Sequence, residues 1–392
     1  MALPPPPPPA APPPPPPPPL VVRAPRLVAT GVAFQLRGRG APARGRVAVE
    51  LRRDGRWREL AAVRAGADGR FERRLRPRTP RRGYRLRVRT GDGRTSRAVV
   101  VRSRNVTLAA VGDVNLGDAT ATTIAARGLT HPWTSVGPAL RAADVAFANL
   151  ECAISTRGAP FPKQYAFRGS PAALRAMRDA AGIDVVDLAN NHVGDYGTAA
   201  LLDTVAWSRR LGMTAVGAGG SLAAASQPRV VERLGLRIAF VAFSNILPSE
   251  FFATPSRPGT QPATIDRIRA GVAAARRDAD VVIAAFHWGV ELDLAENATQ
   301  RAFAAAALDA GATAVIGGHP HVLQPLRAVD GGRRVVAYSL GNFVFASHRA
   351  TTVRTGILHL DLSARGVERA RFQRARIDGV RPVLTGSWTG PR

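Results

Sequence analysis

From residue 105 onward, short unbroken apolar runs alternate with alanine-rich stretches whose apolar positions recur every three to four residues. The first pattern is that of strands buried on both faces, the second that of amphipathic helices. Together they predict strands over 106–111, 144–148, 184–189, 237–243, 280–286, 312–316, 334–339 and 356–362. Helices are predicted over 135–143, 171–181, 197–211, 264–277 and 297–310. Ser170 before Pro171 reads as an N-cap followed by a first-turn proline, and Gly182 and Gly212 stand where helices end. Such alternation predicts an α/β domain of about 270 residues. No internal repeat is visible.

Residues 24–104 follow a different rhythm. Tyr84 to Arg89 alternates with period two, and Val47 to Leu51 and Ala98 to Val101 are strand-like. Asp54-Gly55, Asp68-Gly69 and Asp92-Gly93 are hairpin-turn pairs. The spacing predicts a small all-β sandwich of immunoglobulin-like type with no cysteine pair to pin it. Ahead of it, residues 4–19 are fourteen prolines interrupted by Ala10 and Ala11. That tract predicts extended polyproline II, roughly 50 Å of semi-rigid spacer. The expected organisation is a spacer over 1–22, a β domain over 23–104, the α/β domain over 105–380 and a tail over 381–392.

Charge changes the picture less than its size suggests. The chain carries +27, but residues 23–104 hold 25 arginines and six acidic residues, a net +19. Basicity is therefore concentrated outside the α/β domain. Lys163 is the sole lysine among 55 basic residues, a bias that points to GC-rich coding. Few aromatics accompany the arginines (Phe34, Trp57, Phe71, Tyr84), so stacking on bases is poorly supported and no specific nucleic acid is expected. The charge reads first as an ordinary solvated arginine surface and second, through its sum, as a match for an anionic polymer, a wall component or a membrane surface. No apolar run reaches the length of a membrane-spanning helix, and no secretory signal pattern is visible. The single cysteine, Cys152, excludes an intramolecular disulfide and reads as a small core residue.

Candidate chemistry lies where the predicted strands end, the usual place for a site in an α/β sheet. Val106 to Val111 runs into Gly112-Asp113-Val114-Asn115. Asp113 offers a hard oxygen ligand there, although an aspartate in that position is also a common turn residue. Asn149 and Glu151 share a face if the chain stays extended. Asn190-Asn191-His192 is more specific, with Asp195 placed to bond one imidazole nitrogen and fix the His192 tautomer. His287 ends another apolar run, with Glu291 four residues on. Gly318-His319-Pro320-His321 is the strongest cluster: the proline favours extended geometry, which would present both imidazoles to one side. Ser339-Leu340-Gly341-Asn342 closes the series. Three imidazoles beside carboxylates and carboxamides suit a divalent transition metal.

In this order, these six clusters resemble the CapA family of poly-gamma-glutamate capsule biosynthesis proteins, part of the calcineurin-like metallophosphoesterase superfamily. The resemblance spans roughly residues 106–345. It implies a four-layer α/β/β/α sandwich holding one or two divalent ions, of manganese, zinc or iron. Carried over by position, Asp113 and His321 would serve one metal, and Asn191, His287 and His319 the other. Glu151 would take the bridging place and His192, oriented by Asp195, that of the general acid. Asn149 and Asn190 would contact substrate or the groups behind the metal ligands, and Asn115, Glu291 and Asn342 would meet substrate. Two departures from the superfamily stand out: Asn115 replaces a histidine and Glu151 an aspartate. The implied location is secreted or cell-surface. Three functions are expected, in this order. The first is a metal-dependent hydrolase of a phosphoester or amide, and the second a non-catalytic accessory protein binding an anionic surface polymer. The third is nucleic-acid binding through the β domain. The oligomeric state is left open.

Overall fold

Continuous apolar runs become parallel strands here because both of their faces are covered. The computed structural model describes residues 15–391. The chain divides into two compact units, one formed by residues up to Val28 and Ala33–Arg104, the other by Ala29–Val32 and the residues from Asn105 on.

The first unit has two sheets. Three strands, Val21–Arg23, Phe34–Arg39 and Phe71–Leu75, form one. Leu27–Ala29, Val99–Arg104, Arg81–Thr90, Arg46–Arg53 and Arg56–Arg64 form the other, in that order. Leu36 and Phe71 from the first share one apolar core with Val47, Leu86 and Val101 from the second. The Asp54-Gly55 hairpin turns through positive φ at both residues (51° and 76°), as a tight two-residue loop requires. Residues 1–14, which hold most of the proline tract, lie outside the described residues.

The second unit is mixed α/β with two large sheets. The eight-stranded sheet runs Thr214–Val216, Val185–Asp187, Val145–Leu150, Val106–Val114, Arg354–Ser363, Gly366–Asp378, Arg381–Thr389, with Asn342–Val344 also on Val106–Val114. The six-stranded sheet runs Arg229–Arg233, Leu236–Ser244, Val281–His287, Ala314–Gly318, Arg334–Ala337, Leu326–Val329. Leu108, Val145 and Phe147 of the first pack on Ile238, Phe240 and Ile283 of the second. The rings of Phe147 and Phe240 stack across the gap at 6.0 Å.

The opposite faces are covered by helices. Ala146 and Ala148 meet Leu174 of helix Pro171–Ala176 and Leu201 and Val205 of helix Gly197–Arg210. Val241 and Ala284 meet Ile268 and Val272 of helix Ile265–Asp278 and Ala304 and Ala307 of helix Ala298–Asp309. Ser170 caps its helix by accepting from Ala173 N at 3.1 Å, and Asn297 and Gln300 form a reciprocal capping box.

Two expectations change. The segment from 381, expected as a tail, carries strand Arg381–Thr389, paired antiparallel to Gly366–Asp378. Strand Gly366–Asp378 interleaves charged and apolar residues, because one face meets water; Arg381–Thr389 has Arg381 as its one charged residue and exposes Thr385 to Trp388. The helix expected over 171–181 is α-helical only to Ala176 and closes in a wider π turn, Met177–Ala181. If the inter-sheet stack holds the unit together, Phe147→Ala costs about 3–5 kcal/mol in urea unfolding; a loss below about 1 kcal/mol would place the stabilising contacts elsewhere.

Candidate metal centre

Strand register gathers the polar clusters. Asp113 lies opposite Asn149 on one side and Asn342 on the other, and Asp187 lies opposite Asn149. In the second sheet His287 lies opposite Gly318. The sheets approach so closely here that a Cβ on Gly318 would stand 2.4 Å from Asp113 Oδ1. Glycine is therefore demanded by contact rather than by a turn. His319 and His321 sit at φ 92° and 59°, not in the extended geometry expected around Pro320. Two left-handed residues bend the loop back over the sheet end, which is how both imidazoles reach the carboxylates. Backbone strain of this kind is common at functional sites.

Glu151 is the centre of the cluster. It is fully buried, and neither of its carboxylate oxygens has a hydrogen-bond partner among the described residues. Imidazole nitrogens surround Oε1: His287 Nε2 at 3.4 Å, His321 Nε2 at 3.8 Å and His192 Nε2 at 3.9 Å. His319 Nδ1 is likewise buried without a partner. Two groups of donor atoms, each within 4.8 Å of one another, share this carboxylate. One is Asp113, Glu151 and His321; the other is Glu151, His287 and His319. Exposed Glu291 forms a third group with His319 and His321 at the open side. A buried carboxylate left unpaired is costly, and a cation bound in either group would remove that cost.

Electrostatics agree with that need. Burial raises the Glu151 proton affinity, but His321 and His287 outweigh it and hold the carboxyl well below the usual range. Burial also opposes charge on His321, yet Glu151 and Asp113 raise it to about 10. The two carboxylates thus draw positive charge to one spot. Burial, with His287 and His321 nearby, keeps His319 neutral and its lone pair free. Burial lifts the Asp187 carboxyl well above its ordinary range, with Asp113 and Glu151 adding to the effect.

The carboxamides are engaged within the protein, the supporting alternative for Asn149 and Asn190. Asn149 Nδ2 donates to Asp113 Oδ1 at 2.8 Å and lies 3.2 Å from His287 Nδ1, while its Oδ1 accepts from Asn190 Nδ2 at 2.9 Å. Asn190 Oδ1 accepts from the backbone N–H groups of His192 and Val193. Asn342 Oδ1 sits 2.8 Å from His321 Nδ1. Asn115 Oδ1 accepts from Gly117 N at 2.7 Å, closing a local turn. All four are buried, so they orient the donors and the loops rather than face solvent. Asn191 is different: its Oδ1 lies 2.8 Å from His287 Nε2. Two ligands of one cation stand roughly 3 Å apart when bonds are about 2.1 Å. Cys152 belongs to no donor group, and burial pushes its thiol up to about 12.

His192 stacks on Phe167 at 4.2 Å and bonds Asp195 Oδ2 through Nδ1 at 2.8 Å, which turns Nε2 toward Glu151. Behind this pair stands Lys163, which pattern reading did not place in the site. Its Nζ is 2.5 Å from Asp195 Oδ1 and donates to Asn191 O at 2.5 Å. A compositional signal existed: in a chain that uses arginine everywhere else, the one lysine sits where a compact ammonium is needed and a guanidinium fork is not. Lys163→Met leaves Asp195 with a buried, half-compensated charge and lowers unfolding stability by roughly 3 kcal/mol. Urea denaturation reads this out; a loss under about 1 kcal/mol would class the pair with surface ion pairs.

Comparison with known proteins follows the same residues. The model of the family described as bacterial capsule synthesis protein PGA_cap matches residues 107–347. The PGA biosynthesis protein CapA of Bacillus subtilis is 31% identical over 271 residues, covering 68% of this chain and 70% of that protein. The capsule biosynthesis protein CapA of Bacillus anthracis is 28% identical over 272 residues, covering 67% and 66%. A probable polyglutamine synthesis accessory protein of Mycobacterium tuberculosis is 33% identical over 230 residues, covering 54% and 59%. With its polar clusters inside the matched span, this chain belongs to the bacterial capsule synthesis protein PGA_cap family.

Proposed function

We propose that this protein serves the synthesis of an anionic capsule-type surface polymer at the cell surface, and that its α/β domain is a metal-dependent hydrolase acting on a phosphoester or amide. The observation that carries this reading is the Glu151 carboxylate, buried without hydrogen bonds among imidazoles. Helices on the outer face of each sheet, and one core between the sheets, support a four-layer α/β/β/α sandwich. The two-sheet unit before it is read as an immunoglobulin-like spacer.

Asp113, Glu151 and His321 would hold one divalent cation, and Glu151, His287, His319 and Asn191 a second. Such cations, of manganese, zinc or iron type, supply Lewis-acid polarisation and a nucleophile active at neutral pH. The residues around them supply position and protons. Asn149 and Asn342 fix Asp113, His287 and His321. With Nδ1 engaged by Asp195, His192 presents Nε2 to the cluster, where a proton held on that atom passes to the leaving group. Glu291, exposed beside His319 and His321, is the residue best placed to meet substrate at the mouth.

Metal analysis of the purified protein tests the reading. Wild type retains manganese, zinc or iron through gel filtration, Asp113→Ala and His319→Ala lose it, and Asn342→Ala weakens affinity roughly 10–100-fold. Metal-loaded wild type hydrolyses a generic phosphodiester, and His192→Ala retains metal but not turnover. Protein that takes up no metal and shows no metal-dependent rise in melting temperature contradicts the metal centre. Metal uptake without hydrolysis of any phosphodiester or amide favours a non-catalytic accessory role.

A further inference from the structure

A groove of about 940 Å³ opens in the α/β unit, bounded by strands of both large sheets. Ala337, Leu340 and Phe372 on its floor belong to the core between the sheets, and Leu323 and Leu326 pack against that core. The inter-sheet core therefore comes to the surface here instead of being closed over. Leu294, exposed on the loop before helix Ala298–Asp309, extends the apolar strip to the rim. Along the facing strand the lining changes character. Phe372, Arg374 and Arg376 share one face at period two, so the apolar floor passes into two guanidinium groups. Arg354 lies directly opposite Arg376 on the neighbouring strand. All three arginines are exposed and make no ion pair among the described residues, and no acidic side chain among those residues lines the groove. Like charges opposed across strands cost stability, a cost that an anion bound between them removes.

We propose that this groove binds a single-chain anionic amphiphile, its carboxylate or phosphate head on Arg354, Arg374 and Arg376 and its aliphatic chain over Leu294, Leu326 and Leu340. The two halves of the lining exclude simpler ligands. A polyanion would engage the arginines but lay a hydrated backbone on apolar surface and gain nothing from it. A neutral hydrocarbon would fill the floor and leave the three cations crowded. A molecule with charge at one end and methylenes behind it satisfies both halves. Guanidinium forks bind either head bidentately. The volume lies within the range of roughly 300–1,000 Å³ typical of small-molecule sites, which suits one chain rather than a patch of bilayer. The Leu323–Leu340 bridge sets the inner end of the groove two residues from His321 and from Asn342. None of the proposed metal ligands lines it, so the inference is independent of the metal centre and of the proposed hydrolysis.

Displacement of dansyl-undecanoate from the full chain tests it, with n-alkyl carboxylates and n-alkyl phosphates of about eight to fourteen carbons as competitors, each below its critical micelle concentration. A methylene gains about fourfold in affinity at full burial, so a groove open on one side gives about twofold per added carbon. The series that binds more tightly identifies the head. L294Q/L326Q at least halves the logarithmic slope of affinity against carbon number. R354S/R374S/R376S weakens every competitor at least about tenfold and keeps the slope. The control R267S/R269S/R277S removes the same charge from exposed positions of helix Ile265–Asp278 and changes affinity less than about twofold. Relief of the cross-strand repulsion keeps the arginine variant's melting temperature at or above wild type. Should either multiple variant melt early, the single variants L294Q and R376E carry the test with the same directions. Asp113→Ala binds the amphiphile as wild type does, so loss of the metal reading leaves this result standing. Four results would each overturn the proposal: affinity independent of chain length, equal loss in both arginine triples, displacement by oligo-glutamate as effective as by the longest amphiphile, or binding confined to vesicles of phosphatidylcholine and phosphatidylglycerol.

Discussion

A carboxylate cannot rest in a protein interior without a partner. Glu151 is sealed from solvent, its oxygens accept no hydrogen bond among the described residues, and imidazole nitrogens stand around Oε1 at 3.4–3.9 Å. These distances are too long for hydrogen bonds of normal strength and suit atoms grouped around a common cation. Around this one group the rest of the α/β unit is arranged: two sheets bring their carboxyl ends together, and glycine at 318 lets them approach.

Rigidity is supplied from behind. Asn149, Asn190 and Asn342 spend their hydrogen bonds on donors and on backbone, and Asp195 is held jointly by His192, Lys163 and the Phe167 N–H. Such supporting groups set the tautomer and direction of the ligating rings. The open side is thinner, with exposed Glu291 beside His319 and His321.

Much of the fold was legible because burial on both faces leaves an unbroken apolar run, as in Val281–His287 and Leu236–Ser244. The clusters were legible because each polar group follows such a run directly. Other features left no such mark. Helix Asp118–Arg127 buries only Thr120 and Ile124, so it has no apolar stripe. Strand Gly366–Asp378 interleaves charge with apolar residues, and Arg381–Thr389 breaks its apolar positions with Thr385, Gly386 and Ser387, so the two read as surface and tail. The left-handed turns at His319 and His321 oppose the extended bias of a residue before proline. Lys163 reaches Asp195 and Asn191 only through tertiary folding, from a loop about thirty residues away.

The most direct test is anomalous X-ray diffraction from crystals grown with manganese or zinc, recorded at the absorption edge. The proposed centre predicts a peak about 2.0–2.2 Å from a Glu151 oxygen, flanked by Asp113 and His321 or by His287 and His319. A structure in which Glu151 is instead hydrogen-bonded to water or protein, with any metal bound elsewhere, would contradict it.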